Sequence, residues 1–116
     1  MMGGASSRRK GHQFERDVAN MLREVMPGAD IKRGLQSRGG GAEEMDVECP
    51  YFAVECKKGP MPNPRAALRQ ATNDAKPGKV PIGVIGDDRK PPFVVLSLED
   101  FLGFVKEWWH AGGKDQ

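Results

Sequence analysis

Long apolar runs are missing from this chain, and no stretch approaches the roughly 18–20 apolar residues that a membrane span requires. The opening segment, MMGGASSRRKG, carries basic residues with no apolar stretch behind them, so it does not read as a secretory signal. Histidine and cysteine are scarce, two of each, and His12 and His110 lie too far from Cys49 and Cys56 for a zinc-site spacing. One disulfide is allowed on parity, but in a chain expected in the cytoplasm the two thiols are better read as core-packing residues. Aromatic residues make up only 7% of the sequence, and nothing resembles a platform on which single-stranded bases stack. Charge of either sign is nearly balanced, +2 from 18 basic and 16 acidic residues, so the total names no partner. Internal repeats are also absent.

What remains is a chain of 116 residues, enough for one domain and one core. Residues 1–10 read as a flexible basic leader, 11–110 as a single domain, and 111–116, AGGKDQ, as a disordered tail. Phe14, Val18, Met21, Leu22 and Val25 recur at helical spacing and predict a helix over 12–26, stopped by Pro27-Gly28. A short strand is expected within 29–33, followed by a glycine-rich loop, GLQSRGGGAEE. Segments 45–49 and 52–57 form a hairpin around Pro50-Tyr51. Asn63-Pro64 marks a helix start, a capping side chain followed by proline at the first helical position. Strands at 80–85 and 93–97 and an amphipathic helix at 98–110 complete the order α-β-β-β-α-β-β-α. That order describes an α/β (α+β) domain with a mixed central sheet flanked by helices.

The informative stretch is MDVECPYFAVECKKG, residues 45–59, where charges recur inside an apolar hairpin. With the turn between Pro50 and Tyr51, Asp46 stands opposite Glu55 and Val47 opposite Val54. Alternation then gathers Asp46, Glu48, Glu55 and Lys57 on one face and Val47, Cys49, Phe52, Val54 and Cys56 on the other. Opposed carboxylates repel, and a divalent cation with oxygen ligands relieves the repulsion. Lys57 beside them can hold an attacking water or offset charge in a phosphoryl transition state. An alternative stays open, in which the same residues are the solvated face of an amphipathic hairpin. Glu15 lies one residue off the apolar stripe of the first helix, at the boundary of core and solvent. There it either joins the carboxylates or favours the helix dipole.

KGHQFERDVANML, KRGLQSRGGGAEEMDV and AVECKKG together resemble the PD-(D/E)XK nuclease superfamily, with its Asp-x8-Glu-x-Lys spacing. Within it the chain is similar to phage and archaeal-type Holliday junction resolvases, over about residues 10–105. The resemblance implies a restriction-endonuclease-like αβββαβ core. It implies Asp46, Glu55 and the backbone carbonyl of Cys56 as ligands of Mg²⁺, for which Mn²⁺ substitutes. Lys57 would position water, and Glu15 would complete the acidic cluster through water or a second metal. Gln70, on the later helix, would touch substrate or metal water, or be a solvated residue. Arg33 and Arg38, flanking the glycine-rich loop, would contact DNA near the scissile phosphate, with Lys58, Arg9 and Lys10 adding sequence-independent affinity. Met45 stands where the family often has proline, a position that shapes backbone and supplies no ligand.

These expectations describe a metal-dependent endodeoxyribonuclease that cuts four-way DNA junctions symmetrically as a homodimer, in the host cytoplasm if phage-encoded, with no membrane and no organic cofactor. Adjacent Trp108 and Trp109 cannot both be buried on one helix face, so one is a candidate dimer contact. Two alternatives remain: a nickase or restriction-like nuclease on duplex or flap DNA, and a non-catalytic DNA-binding accessory module of recombination.

Overall fold

Proline, glycine and β-branched residues set the element boundaries in the computed structural model, which describes residues 3–34 and 46–115. The chain order is α1 (Gly3–Val25), β1 (Lys32–Arg33), β2 (Val47–Glu48), β3 (Phe52–Gly59), α2 (Pro64–Asp74), β4 (Val80–Asp87), β5 (Phe93–Val95), α3 (Leu98–His110) and a 3-10 turn at Gly113–Asp115. The five strands form one sheet in the order β1-β2-β3-β4-β5. Neighbours are antiparallel except β3 and β4, which run parallel. Helix α2 is the crossover that a parallel pair requires. Asn63 caps it by accepting from the Ala66 N–H at 3.1 Å, with Pro64 in the first turn. The fold is the mixed α+β architecture of a restriction-endonuclease-like core.

The hairpin register agrees with the sequence: Val47 pairs with Val54 and Glu48 with Ala53. Tyr51 turns the chain with φ 79°. Strand β3 is the centre of the molecule, because α1 covers one face of the sheet and α2 the other. Four successive residues, Ala53 to Cys56, are therefore buried, as expected for a strand with both faces covered. On the α1 side Phe14, Val18 and Ala19 pack against Val47, Val54, Cys56, Ile82 and Val84. On the α2 side Ala53 meets Ala71.

Two glycines let the helices approach. A Cβ at Gly83 would lie 2.8 Å from Val95 Cγ1 and 3.1 Å from Ala67 Cβ, on the α2 side. A Cβ at Gly86 would lie 2.8 Å from the Phe14 ring, on the α1 side. Gly83→Ala is expected to destabilise the fold by about 1–2 kcal/mol through overpacking, measured by urea denaturation; an unchanged midpoint would contradict this packing.

Several expectations are corrected. Helix α1 begins at Gly3 and runs through the segment read as a leader, although Gly4 and Gly11 disfavour helix. Its buried face is also rotated from the expected stripe: Met21 and Val25 are exposed, while small Ala19 lets the sheet close. The tail, too, contains a short 3-10 turn. Cys49 and Cys56 are free and buried, as their packing role required.

Candidate active site

Strand β2 is only two residues long, so it leaves β3 unpaired on that side beyond Val54. A free backbone edge inside a protein needs a partner. Here the Cys56 N–H donates to Asp46 Oδ2 at 2.9 Å. The Asp46 carbonyl in turn accepts from the Gly34 N–H at 2.9 Å. Asp46 is thus fixed at the point where β2 and β3 diverge, with its carboxylate in line with the backbone that follows Glu55.

Glu55 and Lys57 follow Ala53 on the α2 face by alternation, and Glu55 pairs across the ladder with Gly83, which faces Ala67. Their side chains meet, with Lys57 Nζ 3.5 Å from Glu55 Oε2. Glu55 is only 4% exposed. Burial, and then the negative charge of Asp46, push its carboxyl up to about 7, against the lowering influence of Lys57. Glu48, the fourth charge of the hairpin, stands opposite Lys32 on β1.

Glu15 joins this cluster more deeply than the sequence suggested. It lies within the rotated buried face of α1, at 7% exposure, where a boundary position was expected. Burial and the charge of Asp46 raise its carboxyl to about 7, outweighing Arg33 and Arg16. Arg33 Nη1 is 3.5 Å from Glu15 Oε1, an ion pair too long for a hydrogen bond, and both atoms are buried without a hydrogen-bond partner. The thiol of Cys56 is pushed up by burial and by its acidic neighbours, which leaves it inert as a nucleophile.

Asp46 repels both Glu15 and Glu55, and Glu15 has an orphaned oxygen, so the carboxyl groups here are donors suited to a hard divalent cation. Among the described residues no three His, Cys, Asp or Glu side chains are arranged to hold one ion. A cation here would therefore take Asp46 and Glu55, with water, phosphate and a backbone carbonyl completing its shell, as Mg²⁺ commonly does.

A family model for the phage putative PDDEXK endonuclease matches residues 6–110. The chain belongs to that family. The match spans nearly the whole chain and places this PDDEXK protein among the PD-(D/E)XK nucleases. No curated protein and no solved structure matches it. No helix of the described residues is long and apolar enough to cross a membrane.

The residues expected to contact DNA fall in different places. Arg33 is committed to Glu15, as above. Arg38, with most of the glycine-rich loop, lies outside the described residues. Gln70 is exposed on α2, the helix that covers the Glu55 face. Lys58 alternates to the opposite face from Lys57, 5.7 Å above the Phe14 ring and 3.7 Å from Asp88. Lys10 also reaches Asp88, at 3.5 Å, and Arg9 is exposed beside it on α1. Asp88 was missed by sequence reasoning, since it lies between the strands expected at 80–85 and 93–97. The parallel register would have exposed it, because Gly59 pairs with Asp87 and carries Asp88 to the end of β3 next to Lys58.

Proposed function

We propose that this nuclease is a Mg²⁺-dependent endodeoxyribonuclease that resolves branched DNA at four-way junctions, cutting symmetrically as a homodimer in the host cytoplasm. The observation that supports it is the placement of Asp46, Glu55 and Lys57 together at the opened edge of β3, with Glu15 pressed in from α1. Burying several carboxyl groups on one site costs stability, and a pure binding module gains nothing from negative groups facing phosphate.

Each residue then has a task. Asp46 and Glu55 hold the cation, and Glu15 adds charge behind them. A bound cation supplies Lewis-acid polarisation of the phosphoryl oxygen and acidifies its water. Lys57, half-exposed and 3.5 Å from Glu55, orients water or offsets the charge that develops on phosphate. Arg33, paired with Glu15, offsets part of the negative charge on the α1 side of the site.

The test is cleavage of a labelled four-way junction beside a linear duplex and a flap of matching sequence, with Mg²⁺, Mn²⁺ or chelator. Paired symmetric nicks confined to the junction are the expected result. Cutting of all three substrates would replace resolution with a general or flap nuclease. Metal-independent binding with no cutting would overturn the catalytic reading.

A further inference from the structure

Helix α3 is amphipathic, yet none of its residues is buried. An amphipathic helix is held by burying its apolar face. What attaches α3 to the body is a different side. Phe104 stacks on Phe52 with ring centroids 5.6 Å apart and meets Tyr51 edge-on at the same distance. Tyr51 Oη donates to Glu107 Oε2 at 3.3 Å. At 100° per residue, Asp100, Phe104 and Glu107 share this inner side. Leu98, Leu102, Val105 and Trp109 form a stripe well over 90° away from it, flanked by Phe101 and Trp108. Leu98 is 70% exposed and Leu102 53%. On the outer strand of the sheet, just before α3, Phe93 and Val94 are exposed as well.

We propose that this stripe is the surface on which a second copy of the chain docks, with the two α3 helices antiparallel across a two-fold axis. Size supports it first. Half-exposed side chains of this kind leave on the order of 100 Å² each to solvent, so the six on α3 together offer roughly 600 Å², at the upper end of the apolar patches that monomers leave bare. Charge supports it second. The far edge of the stripe carries Glu99 near the helix start and Lys106 and His110 towards its end. In an antiparallel pair like edges meet, so Glu99 of each copy comes level with Lys106 and His110 of the other. A parallel pairing would instead bring unlike edges together and set Glu99 against the Phe101 and Trp108 edge, with no cation to meet it. The arrangement is self-complementary, as a two-fold interface must be. It deepens the homodimer reading by naming its surface, but its test is hydrodynamic, so it fails or survives independently of the nuclease activity.

The experiment is sedimentation velocity on the full chain over a dilution series, with circular dichroism confirming the fold of every variant. The wild type is expected to dimerise, and Leu102→Glu to weaken dimerisation at least ~100-fold by placing two carboxylates in the apolar seam. Glu99→Lys alone should weaken it by roughly tenfold or less, as suits a rim charge, and adding Lys106→Glu should restore it. That rescue is specific to the antiparallel register. A wild type that stays monomeric throughout would overturn the proposal. So would a dimer indifferent to Leu102→Glu, since another face would then hold it, and a dimer that E99K/K106E fails to rescue would overturn the antiparallel pairing.

Discussion

Glu55→Gln is expected to abolish metal-dependent cleavage and, in the same protein, to raise the melting temperature without metal at pH 8. The first effect follows from removing one of the two proposed cation ligands and should reach at least ~10³-fold in single-turnover rate. The second follows from burial. Glu55 is 4% exposed and lies against Asp46, so its ionised form is a poor occupant of the site when no cation is bound. Gln keeps the shape and removes the charge, worth about 1–3 kcal/mol, or several degrees in a domain of this size. Lys57→Met should also lose cleavage, but without the gain in stability, because it strips Glu55 of its compensating ammonium. If Glu55→Gln melted lower than wild type at pH 8 without metal, Glu55 would be held by partners that stabilise its charge, and the reading of a strained acidic site would fall.

Stability without metal should fall as pH rises from about 5 to 8, and millimolar Mg²⁺ should reverse the fall. Glu15 and Glu55 both titrate near 7 in the folded chain, above the 4.5 expected when unfolded. Below pH 4.5 both states hold the protons and no penalty exists. Between 4.5 and 7 the unfolded chain releases them while the folded chain retains them, so unfolding is increasingly favoured. Above 7 the folded carboxylates ionise as well, and the loss levels off at a few kcal/mol for the two groups together. A cation bound only by the folded state removes this penalty and adds its own binding free energy. The check is thermal melting at pH 5.5 and pH 8, with and without Mg²⁺, in wild type and in Glu55→Gln. A rise with Mg²⁺ at pH 8 that is equal in both proteins would place the cation elsewhere.

Much of this architecture was legible because local signals agreed with the tertiary answer. Asn63-Pro64 opened a helix as its capping chemistry dictates, and the Pro50-Tyr51 turn set a register that the ladder reproduces. That register was enough to bring Asp46 level with Glu55, so the candidate carboxylate pair could be read from spacing. Glu15 was legible as a candidate but not as a buried one. Its burial depends on which way α1 is rotated, and that rotation is chosen by Ala19 and by Gly86 beneath Phe14, where missing side chains permit close approach. The expected face of α1 followed the largest apolar residues, whereas the packed face exchanges Met21 and Val25 for Glu15 and Ala19. Lys57 and Lys58 adjoin in sequence yet serve opposite faces, one beside Glu55 and the other tied to Asp88. Helix α3 shows the converse case, since its periodicity was plain but not the direction in which its apolar stripe would point.

By itself the sequence determined the strand order around the hairpin, the pairing register, the helix caps and the Asp-x8-Glu-x-Lys set, because each depends on alternation, spacing or a local hydrogen bond. Only the tertiary structure decided that Glu15 and Glu55 would be buried against Asp46, that Arg33 would be drawn to Glu15, and that α3 would hold its apolar stripe away from the core. Those outcomes depend on how closely helices approach a two-sided sheet, and close approach is settled by residues far apart in the chain.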